Sequence, residues 1–358
     1  MKNNHLKSFL SSICIGLLSV AFYACSSSDG NNSNSFDRAL MLQNYAEKMI
    51  IPAYANFQTQ VNALQTANST FQTTPNSANL ANLQTAWLNA ATAWQSANAF
   101  NFGPAGEQGL TKNLNEEIAT FPVNTARIEF FISNNDVSFN NFERDTRGLM
   151  AVEYLLYEST QGVLSSANKR NYLNALIQQI KTRTDAVVTA WATYKSVFIA
   201  NTGTDIGSST SALYNEFVKS YENLKNFKVS LPLGKRAGQT QTEPTKVEAY
   251  YSARSFVLMK AHFTALENLW NASYGFRSYL ENATGGADLV KNTTAQITAV
   301  KNVLNAIDNN SSFSQIIQNN PASLESLYVE MQKLTRFFKS DMSSILGIAI
   351  TYDSGDGD

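Results

Sequence analysis

The chain has 358 residues, of which 44% are hydrophobic and 15% charged, and its 27 basic and 28 acidic residues give a formal net charge of -1. This length fits two domains of ordinary size or one large domain, and the apolar content is too high for a disordered chain. The absence of a basic excess argues against a nucleic-acid binder.

The first 35 residues predict export and a membrane anchor. Residues 1–24 read as a lipoprotein signal peptide, because a basic start is followed by an apolar run too short for a membrane span. Cys25 follows the small residue Ala24 and is the predicted lipidation site, with plain secretion as the alternative. Residues 25–35 read as a flexible tether. We therefore expect a lipid-anchored protein on the outer membrane of a Gram-negative cell envelope, facing the periplasm or the surface, with the membrane as a partner.

From residue 36 to residue 205 the apolar spacing predicts an N-terminal helical bundle. Apolar residues recur every three to five positions, and Pro52 should kink or restart the first helix. Glycine-rich breaks interrupt the pattern near residues 103 and 203.

Residues 206–350 predict a second, C-terminal helical bundle, followed by a flexible tail over 351–358. Its helices are expected near 209–230, 245–280, 287–309 and 322–348, and no alternating β pattern is found. The predicted fold class is all-α, with two antiparallel helical bundles.

Four segments resemble the imelysin-like family, which is known from imelysin peptidase and from periplasmic iron-uptake proteins. They are residues 44–54, residues 86–104 with the exit Phe102-Gly103-Pro104, residues 113–129, and residues 146–156. The last segment aligns with the family signature GxHxxE and carries Gly148 and Glu153 at its outer positions. The resemblance implies the imelysin-like fold, a divalent metal (iron or zinc), and either peptidase activity or a role in iron or haem uptake.

Met150 stands where that signature has histidine. Residues three apart share one helical face, so histidine and glutamate there would approach one ion. A thioether is a poor ligand for zinc or ferrous iron and packs as an apolar group. A mature chain without His5 also keeps only His262, which excludes a site made of several histidines.

Glu153 is the strongest candidate for a functional residue, and the only candidate metal ligand. It shares a helical face with apolar residues, so its carboxyl should contact a ligand or metal, or form an ion pair with Arg127 or Arg147. The predicted ligand-binding cleft consists of Glu153, Met150, Arg147, Arg127, Glu129, Asn101 and Phe102.

Other residues favour structural roles. His262 lies among apolar residues and reads as a hydrogen-bonded packing residue, and the four tryptophans have the spacing of a helical core. The function predicted is a non-catalytic binding component linked to iron or haem uptake, with uptake proteins or a small ligand as partners and no nucleic acid. A metal-dependent peptidase and a glycan-binding surface lipoprotein are the alternatives.

Overall fold

The first half of the protein is built on long helices that are capped by short polar side chains. The structure is a computed structural model and describes residues 36–107, 113–159, 161–307 and 311–352; within them it contains no strand. The predicted signal peptide, Cys25 and tether lie outside these residues. The α-helices of the first half are α1 (Arg38–Tyr45), α2 (Ile51–Thr73), α3 (Ser77–Ala97), α4 (Leu114–Ile118), α5 (Thr125–Ser133), α6 (Gly148–Tyr157), α7 (Gly162–Ser165) and α8 (Ala167–Ala200).

Side chains of Asp37, Asn76, Asn124 and Ser166 accept a backbone N–H in the first turn of α1, α3, α5 and α8 respectively. Such caps satisfy amides that have no partner inside the helix. A π-helical turn, Ala46–Ile50, joins α1 to α2 without leaving the helical conformation, and Pro52, which cannot donate a backbone N–H, follows directly after it at the second position of α2. The predicted restart at Pro52 therefore takes the form of a π-helical turn.

The second half repeats the helical scheme. It contains α9 (Ser209–Asn223), a π-helical segment (Leu224–Ser230), α10 (Ser255–Trp270), α11 (Phe276–Glu281), α12 (Gly286–Ala306), α13 (Phe313–Asn319), α14 (Ala322–Arg336), a second π-helical segment (Phe337–Met342) and α15 (Ser343–Leu346). The residues from Phe36 onward form one unit by their contacts. The division into bundles 36–205 and 206–350 stays a prediction.

The predicted helix over 245–280 is confirmed over residues 255–270 and wrong over residues 245–254 and at a break over residues 271–275. Residues 245–254 form turns instead, with Ala249 and Ala253 in the left-handed region, and α10 ends at Trp270 before the short α11. Two buried carboxylates account for the turns, because Glu248 pairs with Lys228 and the N–H of Ser252 is donated to Glu153. These contacts override local helical preference.

One buried core contains residues of both halves; in the first half it lies between α2, α3 and α8, and α6 packs against both α3 and α8. The four tryptophans are fully buried, which confirms their predicted core role. Trp87 on α3 donates its Nε1–H to the carbonyl of Leu149 over 2.8 Å, and Tyr172 on α8 donates its hydroxyl to the carbonyl of Thr146 over 2.8 Å. These two bonds hold the start of α6 in place. No helix in the described ranges is long and apolar enough to span a membrane.

The two halves are joined by buried hydrogen bonds. The hydroxyl of Tyr45 on α1 donates to the carbonyl of Leu269 and accepts the N–H of Phe276, over 3.1 and 2.9 Å. The ring of Phe36 stacks on Tyr274 and Tyr279. The first described helix is therefore pinned to the end of α10 and the start of α11.

Gly148 should tolerate no side chain. Its φ is +78°, and a Cβ there would overlap the carbonyl oxygen of Ile118. We expect Gly148→Ala to lower the free energy of unfolding by about 2–4 kcal/mol, from backbone strain plus overpacking. Urea unfolding of the purified protein measures this loss.

Gly207→Ala is the matched control, because Gly207 also has a positive φ, +93°, but open space around it. It should cost about 1–2 kcal/mol from strain alone. An equal loss in both variants would contradict the predicted close contact.

Candidate functional site

Met150 and Glu153 line one small pocket. Both lie on α6, and each is 2% exposed. The pocket has a volume of about 230 Å³, and its other walls come from the segments around residues 121–125 and 245–251. The structure thus brings together the two signature positions that the sequence singled out.

The Glu153 carboxyl is bound by backbone and has no arginine partner among the described residues. Its Oε1 accepts the N–H of Ser252 over 2.6 Å. The pKa of Glu153 is raised to about 7, chiefly by burial; the hydrogen bonds from Ser252 oppose this rise, and the nearby charge of Glu248 adds to it. The predicted pairing of Glu153 with Arg127 or Arg147 is wrong, because backbone N–H supplies the partner instead.

The donor atoms around Glu153 do not fit a divalent metal centre. One carboxyl and one thioether face the pocket, and no group of three His, Cys, Asp or Glu side chains arranged for a metal occurs in the part of the chain that the structure describes. Structural and catalytic zinc sites use at least three protein ligands of nitrogen, sulfur or carboxylate type. The pocket lacks that set.

Arg127 and Glu129 are held away from this pocket by other partners. Arg127 forms a two-point ion pair with Glu143, at 2.7 and 2.8 Å, and its guanidinium lies over the ring of Phe131. Glu129 accepts hydrogen bonds from the hydroxyl of Tyr154, at 2.7 Å, and from the ammonium of Lys169, at 2.9 Å. The structure therefore does not bring these two predicted residues into the cleft.

Three further predicted residues also lie outside it. Asn101 is buried, with its amide donating to the carbonyl of Asn98 and its Oδ1 accepting the N–H of Asn115. Phe102 packs against Trp191 and Phe198 in the core. Arg147 lines a different cavity. The loop hydrogen bonds of Asn101 and the core packing of Phe102 keep these two side chains out of the pocket.

A larger pocket adjoins the first, and Phe121 and Pro122 line both. Its volume is about 680 Å³, within the range of small-molecule sites. Three basic and three acidic side chains line it together with four asparagines and the rings of Trp94, Phe121, Phe227 and Tyr352; the charged members are Arg144, Lys219, Lys228, Glu116, Asp145 and Glu248. The charges balance, so the pocket suits a polar organic molecule better than a bare ion.

A buried ion pair lies among the residues of this pocket. The Nζ of Lys228 is 2.7 Å from Oε2 of Glu248, and both side chains are buried. Lys228 also donates to Oε1 of Gln95 over 2.7 Å, while the amide of Gln95 donates to Oε1 of Glu248. Burial lowers the pKa of Lys228, and the charge of Glu248 opposes that shift.

The network continues from Gln95 to His262. The amide of Asn98 donates to Gln95, and the hydroxyl of Ser220 donates to Oδ1 of Asn98 over 2.8 Å. The single hydroxyl proton is thereby used, so the 2.8 Å contact between Ser220 and Nε2 of His262 requires that Nε2 donates.

This tautomer leaves Nδ1 of His262 as a hydrogen-bond acceptor, and it has no partner among the described residues. Burial and the charge of Lys228 hold the pKa of His262 well below its usual range, so the ring is neutral. His262 therefore has the predicted packing role, and its Nδ1 is a buried acceptor that no described residue satisfies.

Sequence reasoning did not find Lys228, Glu248, Gln95, Asn98 or Ser220. They come from α3, from α9 with its π-helical segment, and from the 245–254 turns. Of the residues in this network, His262 was the one that the sequence singled out.

The site belongs to an all-helical protein whose α6 presents a carboxyl beside a pocket for a polar molecule. The imelysin family model (Peptidase_M75) matches residues 50–335, and the chain belongs to that family. Iron-regulated protein A of Synechococcus elongatus is 24% identical over 276 residues, which are 74% of this chain and 70% of that protein.

Two solved structures have the same fold. An imelysin-like protein from Psychrobacter arcticum has a TM-score of 0.73 at 19% identity, covering 89% of this chain and 98% of its own. A putative iron-regulated protein A precursor from Parabacteroides distasonis has a TM-score of 0.73 at 15% identity, covering 87% and 95%. The imelysin-like fold predicted from the sequence is confirmed.

Glu153 should make the protein less stable as pH rises. Its pKa is about 7 when folded, against 4.5 for the ordinary side chain, so the unfolded chain loses this proton first. The free energy of unfolding should fall as pH rises from about 4.5 to just above 7, by roughly 3 kcal/mol in total, and should then level off. Glu153→Gln keeps the acceptor for Ser252 and should remove this fall, measured by urea unfolding across that range.

Glu143→Gln is a control of opposite sign. The hydrogen bond from Arg127 lowers the pKa of Glu143, so its contribution is present above its ordinary pKa and is lost as pH falls. This variant should be less stable than the native protein at neutral pH, with the deficit shrinking in acid. An unchanged pH profile in Glu153→Gln would contradict the buried carboxyl.

Proposed function

We propose that this chain is a non-catalytic binding protein of the bacterial cell envelope, linked to iron or haem uptake and anchored through a lipid on Cys25. The observation that carries the proposal is the donor set around Glu153, one carboxyl facing a thioether, beside a pocket of about 680 Å³. The names of the relatives from Synechococcus and Parabacteroides support the link to iron. The signal-like N-terminus supports the envelope.

The same observation indicates the form in which iron would be bound. A free ion needs several hard or borderline donors at once, which the Glu153 pocket lacks. An organic iron chelate or haem brings most of its own ligands and needs shape, hydrogen bonds and charge. The larger pocket offers these through its asparagines and its balanced charges.

A metal-dependent peptidase is the rival reading that the family name supplies. It requires a metal that polarises water, and Met150 removes the signature donor for that metal. Peptide hydrolysis that is sensitive to chelators and lost in Glu153→Ala would overturn our proposal. A carbohydrate ligand is the second candidate, favoured by the amide and aromatic lining of the larger pocket.

Calorimetry with ferrous iron and zinc tests the loss of the ion site. We expect weak binding or none by the native mature chain, and a gain of at least about tenfold in Met150→His, because imidazole restores a donor one turn from Glu153. Met150→Leu is the matched control and should behave as native. Tight binding by the native chain that Glu153→Ala abolishes would contradict the proposal.

Titration with haemin and with ferric citrate tests the pocket itself, read out by tryptophan fluorescence and calorimetry. At least one should bind the native chain, and Asn223→Trp should weaken it by about tenfold or more, because residue 223 lines the pocket and a large ring would fill it. Asn282→Trp, on an exposed position at the end of α11, is the control.

Equal binding by Asn223→Trp and the native chain, or no binding of either chelate, would contradict the proposal that this pocket binds an iron chelate or haem. Binding of neutral sugars in place of both chelates, with the same loss in Asn223→Trp, would favour the carbohydrate reading.

A further inference from the structure

A third cavity lies at the N-terminal end of α6. Its volume is about 500 Å³, and it is lined by Gly148 and by residues of α4 and α8. Its charged lining residues are Glu117, Arg147 and Arg183, so positive charge exceeds negative. None of these three lines either pocket of the candidate site.

Two arginines in this cavity have buried donors with no partner among the described residues. Arg183 uses its Nε–H for Glu117, at 2.8 Å, and leaves both terminal nitrogens unbonded, although only 12% of its side chain is exposed. Arg147 is 9% exposed and its Nε is also unbonded, while its two terminal nitrogens donate to the carbonyl of Asn141 and, over a longer 3.4 Å, to the side chain of Gln179.

Buried guanidinium donors without acceptors are costly, and an acceptor at this place would remove the cost. Several converging N–H donors of this kind are the usual means of binding an oxyanion.

The N-terminal end of α6 adds partial positive charge at the same cavity. This helix has ten residues, and no side chain caps its first turn. The amides of an uncapped first turn carry partial positive charge and bind anions. Gly148, with its φ of +78° against the carbonyl of Ile118, lets the chain enter α6 beside the cavity.

We propose that this cavity binds a small oxyanion of the phosphate class, held by Arg183, Arg147 and the N-terminal amides of α6. A neutral ligand with carbonyl or amide groups would leave the excess positive charge uncompensated. A cation would be repelled by the two guanidinium groups. The inference does not depend on the iron-linked function. The cavity has room beyond one phosphate, so an organic phosphate fits as well.

Thermal unfolding and calorimetry with inorganic phosphate, at constant ionic strength set by chloride, test the proposal on the whole mature chain. Phosphate should raise Tm in a saturable way. Gln178→Glu adds a negative charge at an exposed position of the cavity lining and should weaken binding by about tenfold. Gln178→Lys should strengthen it, and neither change threatens the core.

Arg183→Gln provides the direct test and should lose most of the phosphate effect. Glycerol 3-phosphate, run beside inorganic phosphate, separates an organic phosphate from the bare ion: tighter binding of the former, or equal binding, both fit the assigned chemistry. No saturable effect of either phosphate, or binding that is equal in Gln178→Glu, Gln178→Lys and the native chain, would overturn the proposal.

Discussion

The buried ion pair between Lys228 and Glu248 is the interaction on which the arrangement of the site depends. Two charges taken out of water are tolerated only when each has a close partner and further hydrogen bonds, and here Gln95 supplies bonds to both. The pair joins the π-helical segment after α9 to the turns over residues 245–254. Those turns could not be helical and still deliver Glu248 to Lys228. An ion pair of this kind adds little net stability compared with apolar residues of the same size, but removing one partner leaves the other charge buried and unpaired, which is strongly destabilising.

The same turns serve a second carboxyl, because Ser252, four residues after Glu248, donates its N–H to Glu153. The two acids are close enough that the charge of Glu248 raises the pKa of Glu153. One acid is held by an ammonium, and the other by burial and backbone donors, so the two pockets on either side of Phe121 and Pro122 differ in character. The smaller contains a carboxyl that releases its proton near neutrality. The larger is lined by a neutral imidazole and by equal numbers of positive and negative groups.

Helical periodicity predicted most of this fold, and the family signature predicted that Met150 and Glu153 share one face of a helix. The turns over 245–254 were predicted as helix, because their residues have ordinary helical spacing and the forces against a helix come from Lys228 and Glu153, far away in the chain. The sequence did not predict the partners of Arg127 and Arg147 either. A sequence shows that a buried acid needs a partner, but it does not show whether a guanidinium or a backbone amide of a distant turn will supply it. His262 was correctly placed among packing residues, yet its open nitrogen follows only from the proton count of a network that begins at Gln95.

The hydrogen bonds of Tyr45 bear on how this chain reaches its native state. Its hydroxyl is satisfied by Leu269 and Phe276, which lie more than 220 residues further along the chain. Contacts of such long range form late and slow the search for the native state. The hydrogen bonds that join α1 to the second half therefore form only after α10 and the start of α11 have been made, whereas its packing against α8 involves the first half alone. A chain interrupted before Leu269 would leave the buried hydroxyl of Tyr45 without either of its partners.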